Sequence, residues 1–237
     1  MSDTTRASYR IQGREVRLPV EVRDASTASV IYPVPAAEAQ RWLPDAALRV
    51  VADPDGVAQL VLALIDYRDN DLGDYDEISL VLFVTPRGAG PEQAAAYIHR
   101  LPVNQSFTCE AGRTIWGYPK SVERIDFDYF DAAIRGRLEM DGQHVFTLTV
   151  PRRDPPPEAE PTTLEVSTYS YLGGVPHRTA ATNRGTAVVS PGPAGVSLEL
   201  GSHPLADELR GLGLPRDPLL STWTASWSGS FGAPEKV

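Results

Sequence analysis

Lysine is almost missing from this chain. Of 237 residues, 22 are Lys or Arg, yet only Lys120 and Lys236 are lysines. Lys236 is the penultimate residue, where chains fray, so Lys120 is the one lysine expected inside the fold. Cysteine is nearly as scarce: Cys109 stands alone, which excludes an intramolecular disulfide. No apolar run approaches the roughly 20 residues needed to cross a bilayer, so no membrane association is expected. Positive charge is in deficit, with a formal net charge of -9. That balance argues against a nucleic-acid partner held through phosphate contacts. The segment Met1–Arg10 is polar and lacks the apolar core of a secretory signal. It reads as a disordered tail, and the protein as cytoplasmic. His99, His144, His177 and His203 are scattered without metal-ligand spacing, and Cys109 has no partner, so no metal is expected. Gly173-Gly174 opens no βαβ unit, so no nucleotide cofactor is expected either.

Short strands and turns fill the sequence. Residues 1–237 read as a single domain, with a proline-rich surface loop over 151–161. Glu15–Val22 alternates cleanly, with Pro19 marking an edge. Ser29–Tyr32 is a second short strand, and Ala36–Leu43 a short helix stopped by Pro44. Val57–Ile65 is a buried strand, Asp66–Asp76 a polar loop, and Glu77–Val84 another strand. Helix and strand signals conflict over 91–101. Asn104 is placed to cap a helix reaching about Ile115. Residues 124–129 alternate, and 133–140 with 143–150 flank Asp141-Gly142, a favoured two-residue hairpin turn. Residues 187–190 and 196–200 read as a second hairpin, and Ser202–Leu212 as a helix. Thr222–Phe231 sets Trp223, Ala225, Trp227, Gly229 and Phe231 on one face, destined for a core or a subunit interface. The sum is a β-rich α+β domain with a few short helices outside, its strand edges hidden by antiparallel closure.

The chemistry concentrates in Gly112-Arg113-Thr114-Ile115-Trp116-Gly117-Tyr118-Pro119-Lys120. A protonated lysine is no nucleophile. Burial or a neighbouring cation lowers its pKa, and the free amine then condenses with a carbonyl group to an imine. The protonated imine is an electron sink that lets a bond one carbon away break. Arg113 could bind a substrate carboxylate bidentately, or pair with Glu110, or cap the turn. Trp116 and Tyr118 are placed to pack around the lysine.

Gly112, Arg113, Tyr118, Pro119 and Lys120 resemble the motif of the acetoacetate decarboxylase family, Gly-Arg-Glu, three residues, Tyr/Phe-Pro-Lys-Lys. The resemblance implies that Lys120 is the imine-forming residue. It implies an antiparallel β-barrel or cone with the lysine inside, a strand near 91–101, and assembly into homo-oligomers. Glu77 matches a functional glutamate in the family's Tyr-x-Glu, which makes it the acid/base, with Tyr75 lining the pocket. Three positions depart from the pattern. Thr114 replaces the glutamate of Gly-Arg-Glu. Ser121 replaces the second lysine, so desolvation, Arg113 or Arg124 would have to depress the pKa of Lys120. Leu62 stands fifteen residues before Glu77, where a second glutamate belongs. The substrate-binding arginine falls at Ala25, with Arg23 two residues away. The resemblance therefore implies aldolase or dehydratase chemistry on a small keto acid or ketone, with β-keto acid decarboxylation as the runner-up. A non-catalytic small-molecule-binding barrel is the alternative of a different kind.

Overall fold

The computed structural model describes residues 7–45 and 47–237. Strands β1 (Ser8–Ile11) and β2 (Arg14–Arg17) form a hairpin. Residues 8–10 are thus ordered strand rather than loose tail, and residues 1–6 lie outside the described residues. The strand expected over Glu15–Val22 is split at Leu18-Pro19, where proline offers no amide proton to a ladder. Strand β3 (Val20–Pro35) then runs sixteen residues and absorbs Ser29–Tyr32. Helix α1 (Ala36–Gln40) is shorter than expected, and β4 (Leu48–Val50) follows.

Strands β5 (Val57–Asn70) and β6 (Tyr75–Pro86) consume most of the expected aspartate loop. The acidic ends stay extended because arginines on the strands neutralise them. Arg23 bridges Asp69 and Asp71, and Arg68 bridges Asp24. The ambiguous 91–101 stretch resolves into one 3-10 turn (Pro91–Gln93) and strand β7 (Ala95–Val103). Helix α2 (Ser106–Ala111) passes into a π-helical turn (Gly112–Trp116), and β8 (Lys120–Val122) follows.

The remaining elements are β9 (Arg124–Phe130), β10 (Ala133–Met140), β11 (Gln143–Pro151), β12 (Thr162–Leu172) and β13 (Val175–Gly185), then β14 (Val188–Pro191), β15 (Ser197–Leu200), helix α3 (Pro204–Gly211) and β16 (Leu220–Lys236). Lys236 is not frayed: it pairs with His177 at the end of β16.

Seven strands close a barrel in the order β6, β5, β3, β16, β13, β12, β7, with β6 pairing back to β7. All pairs are antiparallel except β7 with β12, a short parallel contact at Thr168↔Ala96 and Tyr169↔Tyr97. A second sheet, β15-β11-β10-β9, packs on the barrel's outside. The expected β10–β11 hairpin is there, with Asp141 and Gly142 both at positive φ. The expected hairpin of 187–190 with 196–200 is not: β14 joins β16 in the barrel sheet, and β15 joins β11 in the outer one.

The two faces of β5 and β6 have different fates. Leu60, Leu62, Leu64, Ile78, Leu80 and Leu82 are buried against the outer sheet. Ala63, Ile65, Tyr67, Glu77, Ser79 and Val81 turn into the barrel lumen. Burial on both faces over residues 62–64 explains the continuous apolar sequence there, whereas Val57 and Gln59 at the start of the strand are exposed.

Strand β16 corrects another expectation. Its register shifts between Thr224 and Trp227, and a bulge turns the following side chains to the other face. Trp223 enters the core beneath the outer sheet, whereas Trp227 enters the lumen-side core.

Candidate active site

The lysine is delivered by a sequence of small devices. Gln105, rather than Asn104, caps α2: its side chain accepts a hydrogen bond from the Thr108 amide at 2.6 Å. Asn104 instead clamps β6 beside Glu77, accepting from the Asp76 amide and donating to the Asp76 carboxylate, both at 2.9 Å. The π turn widens the helix end, a feature often found at functional positions. Gly117 stops it at φ 67°, where a Cβ would sit 2.4 Å from the Tyr171 carbonyl oxygen. The chain then enters β8 with Lys120 facing inward beside Leu101 of β7.

Lys120 and Glu77 are both almost completely buried. The Lys120 Nζ lies 2.7 Å from Glu77 Oε2 and donates to Thr108 Oγ1 at 3.0 Å. It also sits 4.8 Å from the centre of the Tyr75 ring. Burial pulls the lysine's pKa down, but the Glu77 carboxylate and the Tyr75 hydroxyl outweigh it and hold the group above its ordinary value. The expectation of a depressed pKa is therefore corrected for this state, because the buried amine has a buried carboxylate as its partner.

These groups stand at the edge of a cavity of about 70 Å³. At roughly 10–15 Å³ per water centre, that is space for on the order of five waters. Tyr75, Glu77, Trp116, Tyr118 and Lys120 line it together. Trp116 and Tyr118 stack with ring centres 5.6 Å apart. The Trp116 Nε1 donates to the Gly232 carbonyl at 2.8 Å, and the Tyr118 hydroxyl meets Thr168 Oγ1 at 2.8 Å. Burial pushes the Tyr118 hydroxyl up to about 12.

Arg113 is not brought to this site. It is exposed on the π turn and does not line the cavity. Thr114 is exposed as well. Arg124 is also remote, bridging Asp126 and Glu139 on the surface. Arg23 is exposed and already paired with aspartates, and Ala25 is buried in the lumen-side core.

Ser121 and Leu62 also change meaning. Alternation along β8 places Ser121 on the strand face opposite Lys120, so a cation there would not share the cavity. Leu62 faces the outer sheet, away from Glu77. The residue paired with Glu77 on β5 is Ile65.

Sequence reasoning missed Thr108, Tyr67 and Thr168. Thr108 had a signal: it lies four residues before Gly112, so both present the same helix face to Lys120. Tyr67 stacks on Tyr75 at 4.5 Å. It was hidden because its stretch read as loop. Among the described residues, no group of three or more His, Cys, Asp or Glu side chains could hold a metal ion. Likewise, no helix is long and apolar enough to cross a membrane.

Residues 5–228 match the family model described as acetoacetate decarboxylase (ADC). No curated protein sequence matches the chain. Among solved structures, acetoacetate decarboxylase from Legionella pneumophila is similar at 18% identity. The match covers 92% of this chain and 87% of that one, with a TM-score of 0.65. The enduracididine biosynthesis enzyme MppR, complexed with pyruvate, is similar at 20% identity, covering 92% and 90%, with a TM-score of 0.63. An acetoacetate decarboxylase-like enzyme from Sphingomonas wittichii RW1 is similar at 17% identity, covering 95% and 96%, with a TM-score of 0.61. At these identities the likeness is one of fold.

Proposed function

The chain belongs to the acetoacetate decarboxylase family, and from that membership we propose that it is a lysine-imine enzyme acting on a keto acid or ketone by aldol or dehydration chemistry. The observation that carries this reading is the 2.7 Å contact between the buried Lys120 Nζ and Glu77 Oε2 at the edge of the cavity. A buried amine beside a buried carboxylate can exchange a proton within the pair, without drawing one from solvent.

The steps balance on these two groups. The Lys120 ammonium gives a proton to Glu77, leaving a neutral amine and a carboxylic acid. The amine nitrogen adds to the carbonyl carbon, and the carbonyl π electrons move to oxygen, which takes the proton from Glu77. Glu77 then removes a proton from the new secondary ammonium and returns it to the hydroxyl. That hydroxyl leaves as water, and a protonated imine remains beside the Glu77 carboxylate. Loss of an α-proton to Glu77 gives an enamine that can attack an aldehyde carbon. The aldehyde oxygen takes the proton held on Glu77, water can then be eliminated from the aldol adduct, and in either case hydrolysis of the imine releases the product and restores the Lys120 amine.

Two features support aldol chemistry over decarboxylation. Among the described residues lining the cavity Lys120 is the only cation, and no arginine among them is placed to fix a β-carboxylate. On β5 the lumen-facing residues Ala63, Ile65 and Tyr67 include no second carboxylate. A similar protein, MppR, has been crystallised with the condensation product of pyruvate and imidazole 4-carboxaldehyde. One observation favours a binding barrel instead: the ion pair with Glu77 holds Lys120 protonated at rest.

Borohydride reduction in the presence of pyruvate, acetoacetate, or pyruvate with an aldehyde separates these readings. The expected result is a reduced adduct mapped to Lys120, absent from Lys120→Arg. Release of carbon dioxide from acetoacetate would move the reaction to decarboxylation. Turnover unchanged in Lys120→Arg would overturn the imine mechanism.

A further inference from the structure

The lysine cavity does not end at the lysine. It shares Tyr67, Glu77, Ile98, Leu101, Thr168 and Phe231 with a second, open space of about 440 Å³ that fills the barrel mouth. One wall of this trough is a single row on β12: Thr162, Leu164, Val166 and Thr168. Successive members are two residues apart, so the row runs on the order of 20 Å at about 3.3 Å per residue. Its inner end, Thr168, is the residue that holds the Tyr118 hydroxyl beside Lys120. Ile65, Val81 and Trp227 line the same space. Leu164 is 57% exposed and Val166 37% exposed, although both face a concavity. Among the described residues, no charged side chain lines either space apart from Glu77 and Lys120 at the inner end.

We propose that this trough binds the non-reacting arm of the carbonyl substrate, and that the arm is long, uncharged and apolar: an acyl chain or an aryl-alkyl group extending from the carbonyl carbon. This deepens the imine reading given above and rests on it for the reacting end alone. A charged arm would lose its water without meeting a counter-charge. An apolar arm would cover Leu164 and Val166, which no described part of the chain covers. Continuity with the lysine cavity favours a substrate arm over a second copy of the chain, because the row leads inward to Thr168 and Glu77.

Two measurements test the arm and the chemistry apart. The first titrates 2-alkanols from 2-pentanol to 2-decanol, followed by calorimetry and tryptophan fluorescence. These compounds cannot form an imine. Affinity is expected to rise about fourfold per methylene, to reach one alkanol per chain, and to collapse at least tenfold in Leu164→Asp. An ω-carboxylated chain of the same length is expected to bind no better than 2-pentanol. The second repeats borohydride trapping with methyl ketones of the same lengths. Lys120 is expected to be modified at lower concentration as the chain grows in wild type, and this length dependence is expected to be lost in Leu164→Asp.

Chain-length dependence with alkanols but no adduct from any ketone would retain the trough and remove the imine chemistry. Adducts with no dependence on chain length would retain the chemistry and overturn the trough. Loss of length dependence together with a Leu164→Asp change from oligomer to monomer in light scattering would also overturn it, and would give the face to a second copy of the chain.

Discussion

A Cβ on Gly112 would lie 2.6 Å from Cδ and 2.8 Å from Cε of Lys120. The glycine of the motif is thus the space through which the lysine reaches its cavity. Glu77 and Thr108 hold the amine at its far end, so the side chain has little freedom to step aside. Gly112→Ala is expected to cost about 1–3 kcal/mol of stability, as overpacking does. It should also slow Lys120 adduct formation at least tenfold while the protein stays folded. Denaturant titration and timed borohydride trapping measure the two effects separately.

Removing the Glu77 charge should reverse the direction in which Lys120 is shifted. In the native site, burial lowers the lysine's proton affinity, Glu77 and after it Tyr75 raise it, and the raising wins. That contribution to stability is complete below the unfolded lysine pKa of about 10.4 and is lost as pH rises through the higher folded value. In Glu77→Gln burial is opposed only by the weaker influence of Tyr75. Lys120 should then titrate below its ordinary value, and stability should fall as pH drops through that range. Lysine labelled with carbon-13 gives only two signals in this chain, Lys120 and Lys236, so NMR titration reads the shift directly.

Asp76 supplies a pH dependence at the acidic end. Burial, then the charges of Asp66 and Asp74, push its carboxyl up to about 6. Its ordinary value is 3.8, so the folded state holds this proton more tightly than the unfolded one. Wild-type stability should therefore decline as pH rises from about 4 to 6, by about 1–2 kcal/mol after allowance for solvent screening. Asp76→Asn should lack that slope. Urea denaturation at pH 4, 5, 6 and 7 tests the difference.

The missing second carboxylate yields a paired prediction. Leu62→Glu would place a charge in the fully buried layer between barrel and outer sheet. A loss of several kcal/mol or failure to fold is expected. Ile65→Glu would place the same charge in the lumen across from Glu77, and should keep the fold with a smaller loss. Thermal unfolding of both variants compares them, with Leu62→Glu expected to melt lower.

Thr108→Val keeps the volume of the side chain and removes the hydroxyl that accepts from Lys120. Thr108 has no exposed surface, so the lost hydrogen bond to a charged group should cost about 1.5–3 kcal/mol. The adduct should still map to Lys120. Denaturant midpoints and peptide mapping check both halves.

Much of the fold was legible because it is local. The Asp141-Gly142 hairpin follows from two residues that tolerate positive φ between alternating flanks. The reading failed where a local pattern met a distant partner. The aspartates of 66–76 look like a loop until Arg23 and Arg68 are seen beside them. Trp223 and Trp227 look like one face until the bulge between them is seen.

The sequence by itself determined which lysine is the candidate nucleophile. One interior lysine, set after Tyr-Pro and preceded by Gly112, pointed to the family motif. It also determined that strands would dominate and that their edges would be hidden. Only the tertiary structure decided what the lysine faces. Glu77 lies 43 residues earlier in the chain, and its approach to 2.7 Å depends on barrel closure through the β6–β7 pairing. The direction of a buried amine's pKa is set by the charges within a few ångströms, and chain order does not encode those distances. The same holds for Leu62, because which face of β5 looks into the lumen is fixed by strand register and not by counting residues back from Glu77.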